Sequence, residues 1–565
     1  MKKEIIIIGG GTAGASAFIF FSHLFKNIAN VKMITSSNIP TVGVGEATVG
    51  HIKSFLRTVQ LDPDDFILNQ CDGNIKYGVH LKDWYKDDWL YFTPVGTCGY
   101  DIYDYFNYDV TYKEMWESWM GLNLAFKNKS PFLKEEYINN IGLPNKINDY
   151  AYQFDAGKFA KNLIEKGKEY GGEIINDDIV ELISEEDDTI SYAISTSGKK
   201  YNADLWIDCS GFHKLVKNSL NLEEKIFNDM NNNRAWATQL NYIDRDTEFP
   251  YLSTVECQTM NAGWRWQIGL KERIGTGYVF SNKYISEDEA LHEFQDSFDT
   301  GRVNKEKCHL IEFETSCLKR QCGKNWLSVG LSSGFVEPLE STSIFLMHVN
   351  IMAFAMIWQM DNLPKDIQMI DIGMQPTDPD IYSEWHELST KKIDTFNNYT
   401  YKLFEQTVNY IGSHYAVNKN NKSKYWTDWA EKREKYLPII NQGLLRKDNS
   451  FFLRPGWGLL ALGNQLQRNE IPNWVIGRRL EILPDGAGTD KVSQTEIDDI
   501  VLKQTQSEFI AKERIYLGRL SHYNLVCKKF AKYSYDLNDM YKHLENSSHN
   551  GKRSMNKYDY LLSMF

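Results

Sequence analysis

The sequence predicts an α/β fold in which strands of a parallel sheet end in glycine turns and a mainly helical module follows. Three observations lead there. Ile5-Ile6-Ile7-Ile8 runs into Gly9-Gly10-Gly11-Thr12-Ala13-Gly14 and then into the small, apolar Ala15-Ser16-Ala17-Phe18-Ile19, the pattern of strand, tight turn and helix. A second strand ending in a glycine turn stands at 203–211. Beyond about residue 360 the apolar residues recur at helical spacing, over 382–415 and again after 493.

Each element follows from its residues. Gly9 permits the tight turn, Gly11 lets the backbone approach a pyrophosphate, and Gly14 lets the helix pack on the strand, leaving free N–H groups at a positive helix end. The ligand expected there is a dinucleotide. Lys2-Lys3, the uncharged run 5–21 and Ala15-Ser16-Ala17 imitate a secretion signal, but three consecutive glycines interrupt the apolar helix such a signal needs, and a cytoplasmic protein is expected. Val31-Lys32-Met33-Ile34-Thr35 reads as the second strand. Where dinucleotide folds commonly place an acid to bind a ribose hydroxyl, this chain has Thr35-Ser36, which weakens an NAD reading and leaves FAD. Val42-Gly43-Val44-Gly45-Glu46-Ala47-Thr48 is a small-residue loop able to lie flat against a ring system or phosphates. Asp62-Pro63-Asp64-Asp65 reads as a helix start and leads to Gly73-Asn74-Ile75-Lys76-Tyr77-Gly78. Taken alone, Lys76 is a surface lysine whose stem lies along apolar neighbours. The stretch 85–148 is dense in Tyr, Trp and Phe, as a substrate wall or ordinary core would be. A helix over 159–170 and strands at 171–175 and 178–183 precede the turn at 203–211.

Composition narrows the partners. A chain of 565 residues, 42% hydrophobic, buries a large core in two or three domains. A net charge of -12 offers no basic footprint for nucleic acid, and no later stretch is apolar enough to span a bilayer, so the partners expected are small molecules. The eight cysteines are scattered without CxxC or Cys/His metal spacing, which points to reduced thiols and no metal. Aromatics reach 13%, the mark of a large aromatic core or of a cavity for a flat ring.

The motifs at Gly9–Gly14, at Gly43-Val44-Gly45-Glu46-Ala47-Thr48 and at Gly73-Asn74-Ile75-Lys76 resemble those of the flavin-dependent halogenases, the tryptophan halogenase family. Two further stretches extend the resemblance. Gly263-Trp264-Arg265-Trp266-Gln267-Ile268-Gly269 is similar to the family's WxWxIP signature, with Gly269 in place of proline; tryptophans at i and i+2 share one face of a strand, where they can wall the flavin off from an organic substrate. The run 329–344, Val-Gly-Leu-Ser-Ser-Gly-Phe-Val-Glu-Pro-Leu-Glu-Ser-Thr-Ser-Ile, resembles the segment carrying the second catalytic residue and the halide pocket, with Ser343 where glycine is usual.

The resemblance implies an FAD monooxygenase-type, Rossmann-like fold over 1–360 with a substrate-sheet insertion near 221–300, and a helical module over 361–565 covering the substrate side. It assigns Lys76 and Glu340 to catalysis. FAD contacts fall to Gly9, Gly11, Thr12, Ala13, Gly14, Val42, Gly43, Val44, Gly45, Glu46, Val180, Leu331, Ser341 and Ile344. The halide falls to Thr342 and Ser343, and the substrate-side wall to Trp264, Trp266, Phe451, Phe452 and Trp457. FAD arrives reduced, from a separate NAD(P)H-dependent flavin reductase, and with oxygen and a halide yields hypohalous acid for Lys76 to hold or carry; a homodimer is compatible. Where tryptophan-specific members clamp the free amino acid with paired tyrosines and Phe-Trp, this chain has Phe451-Phe452-Leu453-Arg454-Pro455-Gly456-Trp457, which points to an electron-rich indole or phenol without the zwitterion. The alternatives are an FAD monooxygenase, which needs neither Lys76 nor the tryptophan pair, and a flavin-binding protein without catalysis.

Overall fold

The computed structural model describes residues 2–36, 45–87, 90–96, 119–137, 146–185, 188–298, 301–359, 384–445, 457, 458, 460, 461, 464 and 527–540. In chain order, β1 (Lys3–Ile8), α1 (Thr12–Leu24) and β2 (Ala29–Thr35) open the chain, followed by β3 (Glu46–Ala47), α2 (Ile52–Thr58), β4 (Asn74–Lys76), β5 (Gly78–Lys82) and β6 (Leu90–Pro94). β7 (Ala151–Phe154), α3 (Ala156–Glu169), β8 (Glu173–Asn176), β9 (Ile179–Ile183) and β10 (Leu205–Asp208) come next. β11 (Arg234–Leu240), β12 (Val255–Met260), β13 (Gly263–Gly269), β14 (Ile274–Phe280), β15 (His309–Glu312) and β16 (Trp326–Ser328) precede the helices α4 (Ser343–Gln359), α5 (Thr390–Ala416), α6 (Lys424–Ala430) and α7 (Arg433–Leu445).

The four isoleucines form the centre of a five-stranded parallel sheet of order β16-β10-β1-β2-β8, with Ile8 in register with Asp208 on one side and Ile34 on the other. Buried on both faces, such a sheet reads as a continuous apolar run rather than an alternation. α1 covers it with Phe18, Ile19, Phe20 and Phe21, all fully buried, each worth roughly 1.5–3 kcal/mol over the exposed state. α3 starts at an Asp155 cap that accepts from the Lys158 N–H at 2.8 Å, and its Gly167 lies against the Phe18 ring, where a Cβ would stand 2.5 Å from the ring edge.

The inserted sheet has seven strands in the order β15-β11-β14-β13-β12-β5-β6, and so extends past 221–300 at both ends, taking two strands from before residue 100. A small antiparallel sheet, β3-β7-β4, joins the two large ones. α4, apolar all round, is a core helix packed against α1, α2 and α5; among the described residues no helix is long and apolar enough to cross a membrane. The helix expected from 382 begins at Thr390, because Ser389 caps it by accepting from the Lys392 N–H at 3.4 Å. The helix start expected at 62–65 is present as a short helical stretch over 63–70, widened to a π-helical turn at Asp65–Asn69, and the stretch after 493 lies outside the described residues apart from 527–540.

Candidate active site

The carboxyl end of the parallel sheet gathers the glycine motifs. Gly9 has φ 109°, and a Cβ there would stand 2.3 Å from the Cys209 carbonyl oxygen; at Gly14 it would stand 1.8 Å from the Gly9 oxygen. Nothing lies within 4 Å of a Cβ at Gly11, so space is open beside the N-terminus of α1, whose N-cap makes no side-chain hydrogen bond. The first-turn N–H groups of such a helix need outside acceptors. A turn at Gly330 (φ 68°) brings Leu331 to the same place, since a Cβ at Gly330 would stand 2.8 Å from that of Ala13, and the Val329 N–H donates to the Asp208 oxygen at 2.9 Å. Thr12 and Ala13 open α1 in this cradle, which has the shape and the donors a dinucleotide pyrophosphate requires. Gly45 (φ 94°) leads into β3, which Glu46 opens, and faces Ile268 of the large sheet and Leu270 just past its strand. Val180 lies 54% exposed where the register of β9 shifts. Val42, Gly43 and Val44 lie outside the described residues, as do Phe451 and Phe452.

Lys76 is not a surface lysine. It ends β4 at 1% exposure, and its Nζ donates to the Thr48 carbonyl oxygen at 2.9 Å. Asn74 holds the start of that strand, donating to the Gly269 and Leu252 oxygens at 3.1 and 3.3 Å. A Cβ at Gly269 would stand 2.4 Å from that of Leu252, which leaves no room for the family's proline at this crossing.

Glu340 comes from the far side, on the turn before α4. Its Oε1 and Oε2 each accept from the Thr93 hydroxyl at 3.1 Å, and His414 Nε2 of α5 lies 3.3 Å from Oε1. Burial pulls the Lys76 amine down to about 8, against the opposing charge of Glu340; burial likewise pushes Glu340 up to about 7, against Lys76 and the Thr93 hydrogen bond. Both groups therefore change charge near neutrality, as acid–base catalysis asks. Burial takes His414 down to about 3, so the imidazole beside Glu340 is neutral, and its Nδ1 is hydrogen-bonded to the Tyr91 hydroxyl at 2.7 Å.

After Glu340 the chain passes through Ser341 in the left-handed region (φ 57°), and the Thr342 carbonyl accepts from the Leu346 N–H at 2.9 Å as α4 begins, with Ser343 and Ile344 in its first turn. Thr342 is 1% exposed, and its hydroxyl is buried without a hydrogen-bond partner among the described residues. An unsatisfied buried donor at a helix N-terminus suits a small anion.

Trp264 and Trp266 share a face of β13 as expected, with ring centroids 6.2 Å apart, and Trp264 continues into a cluster with Trp84, whose ring is 6.4 Å away. Trp457 packs edge-on against Tyr410, 4.9 Å between centroids, one helical turn before His414. Sequence reasoning missed three contributors, Thr93, His414 and Glu337. Only the i, i+4 spacing of Tyr410 and His414 in α5 hinted at one of them. Glu337 is fully buried, accepts from Asn232 Nδ2 at 2.6 Å, and is pushed up to about 7 by burial.

A family model described as tryptophan halogenase matches residues 4–369. The chain belongs to the tryptophan halogenase family. Like its relatives it is an enzyme. It is 30% identical over 369 residues to tryptophan 7-halogenase RebH of Lentzea aerocolonigenes, covering 61% of this chain and 68% of that protein. It is 28% identical over 367 residues to 7-chloro-L-tryptophan 6-halogenase KtzR of Kutzneria sp. (strain 744), covering 61% and 70%. The fold is that of flavin-dependent halogenases: Tar14, a tryptophan C-6 halogenase from taromycin biosynthesis, superposes with TM-score 0.74 at 21% identity over 96% of this chain and all (100%) of that one. BrvH from Brevundimonas sp. BAL3 superposes with TM-score 0.73 at 22% identity, covering 96% and 99%.

Proposed function

We propose that the protein halogenates an electron-rich aromatic of indole or phenol type, with Lys76 presenting the halogen and Glu340 assisting its transfer. The observation that carries this reading is the buried Lys76–Glu340 pair, two groups 264 positions apart in the chain that perturb each other's ionisation. Reduced FAD, when bound, supplies with oxygen and a halide the hypohalous acid. Gly9, Gly11, Thr12, Ala13, Gly14, Gly45, Glu46, Val180, Leu331, Ser341 and Ile344, with Val42, Gly43 and Val44, would hold it. The amides of Thr342 and Ser343, with the unpartnered Thr342 hydroxyl, suit the halide. Lys76 then holds the electrophilic halogen, by a hydrogen bond from its amine to hypohalous acid or as a haloamine, in which an N–halogen bond replaces the O–halogen bond and the hydroxyl leaves as water with an amine proton; its lowered ionisation favours the neutral amine this needs. Glu340 in its carboxylate form stabilises positive charge on the attacked ring or takes its proton. Trp264, Trp266, Phe451, Phe452 and Trp457 would wall the substrate side. Reduced flavin comes from a separate reductase.

The substrate preference rests on the missing clamp for ammonium and carboxylate, groups that are costly to bury unpaired. Bromide should outpace chloride, as the more readily oxidised halide. The test supplies FAD, a flavin reductase, NADH and one halide at a time, with equimolar indole and free tryptophan, and reads products by mass spectrometry. Halogenated indole in excess, dependent on halide and faster with bromide, is expected. A clear preference for tryptophan would overturn the substrate assignment, faster chloride the halide preference, and hydroxylated product without halide dependence the reaction itself.

A further inference from the structure

We propose that Thr48 is a positioning residue for Lys76, its hydroxyl replacing a main-chain rung so that its carbonyl is free to hold the lysine amine. The inference rests on the reading of Lys76 as the halogen-presenting group. β3 and β7 pair antiparallel with Glu46 opposite Phe154 and Ala47 opposite Gln153, so the next pair in register is Thr48 with Tyr152. A hydrogen-bonded pair of this kind exchanges two bonds, each N–H donating to the carbonyl opposite. Here only one is made between main chains, from the Thr48 N–H to the Tyr152 oxygen at 3.0 Å. The Tyr152 N–H donates instead to the Thr48 hydroxyl at 3.2 Å, and that hydroxyl donates to the Tyr152 oxygen at 2.9 Å. The Thr48 carbonyl, released from the ladder, accepts from Lys76 Nζ at 2.9 Å.

The same strand fixes the other end of this bond. Lys76 pairs with Ala151 on the opposite edge of β7, so donor and acceptor both hang on two adjacent residues of one strand. Tyr152 is itself anchored, its hydroxyl donating to the buried Asp64 carboxylate at 2.7 Å. One N–H of the amine is thus directed at a fixed carbonyl, which sets where its lone pair or remaining hydrogens point. Thr48 and Tyr152 are 1% and 0% exposed, so water does not substitute for the hydroxyl.

Thr48→Val keeps the branched shape and removes the hydroxyl; the Tyr152 N–H then competes for the carbonyl that Lys76 uses. Halogenation kcat is expected to fall about 10- to 100-fold, the usual cost of a displaced reacting group, with KM for the aromatic substrate within about twofold and flavin oxidation unchanged. Thr48→Ser, which keeps the hydroxyl, should restore the rate. In full-length protein labelled with ¹³Cε-lysine, the Lys76 resonance, identified by its loss in Lys76→Ala, should titrate at lower pH in Thr48→Val, because the lost acceptor favoured the protonated amine. Thr48→Ala is read the same way if the valine variant does not fold. Wild-type kcat with an unmoved Lys76 titration would overturn the proposal, as would a loss shared by Thr48→Ser. If Lys76→Ala retained product formation, the functional reading would fail, while the titration would still decide the hydrogen bond.

Discussion

Lys76 and Glu340 are each displaced from their ordinary ionisation by burial, and each opposes that displacement in the other. Removing the amine should separate the two halves of the reaction: Lys76→Ala is expected to abolish halogenated product while flavin oxidation and peroxide release continue, measured by product mass and peroxide assay. Full product formation in this variant would refute the role given to the lysine. Glu340→Gln should slow transfer by roughly 10²- to 10⁴-fold, the range for a positioned acid–base group. A carboxylate raised to about 7 is protonated as pH falls through that value, so the transfer rate should drop below about pH 7. Thr93 donates to both Glu340 oxygens and so favours the ionised form. Its loss in Thr93→Val should move the acidic limb of the rate profile to higher pH, and an unmoved limb would show that Glu340 does not control it.

At the scale of the element, the β1–α1 turn separates a glycine that packing requires from one that borders open space, where the proposed FAD would lie. A Cβ at Gly14 meets the Gly9 carbonyl at 1.8 Å, so Gly14→Ala must force α1 off β1 and should cost roughly 1–3 kcal/mol, read as a lower thermal midpoint without FAD. A Cβ at Gly11 meets nothing within 4 Å, so Gly11→Ala should keep that midpoint and instead weaken FAD binding by occupying the open space. Fluorescence titration of FAD decides it: unchanged affinity in Gly11→Ala would place the dinucleotide elsewhere. The inserted sheet shows the same division. Trp264 and Trp266 point one way because strand geometry alternates, whereas the room for Gly269 depends on Leu252, in the turn that leads into β12.

The whole molecule carries buried titratable groups whose effects on stability oppose one another. Burial lowers His51 to about 4 and His414 to about 3, and lowers His348 well below its ordinary value, so these imidazoles favour the fold above about 6.5 and cost stability as pH falls. Glu337 and Glu340, raised to about 7, cost stability as pH rises from about 4.5 to 7. Between about 4.5 and 6.5 the two sets largely offset. Below about 4.5 these two carboxyls are protonated in both folded and unfolded chains and no longer offset the histidines, whose cost is joined by that of Asp64, a carboxyl that burial raises but Lys146 and Lys53 hold well below its ordinary value, and of Asp155, Glu224 and Glu256, also held low. Scanning calorimetry across pH 3–7 should therefore show a thermal midpoint that changes little down to about pH 4.5 and falls steeply below; a uniform slope from pH 7 would contradict this balance.

The sequence by itself determined the Rossmann-like unit, the glycine turns, the shared face of the two tryptophans and the family, because these rest on local rules: strand and helix periodicity, the backbone freedom of glycine, and residues close together in the chain. It also singled out Lys76 and Glu340, but through resemblance, since nothing local distinguishes a buried lysine from an exposed one. What only the tertiary structure decided is what surrounds those residues. Burial of Lys76 depends on β4 lying between β7 and the large sheet, Glu340 is met by Thr93 and His414 from 247 positions before and 74 after, and the Thr48 carbonyl is free only because a hydroxyl takes its place in a ladder. Such groupings are set by which strands and helices cross, and long-range crossings leave no periodic trace in the sequence.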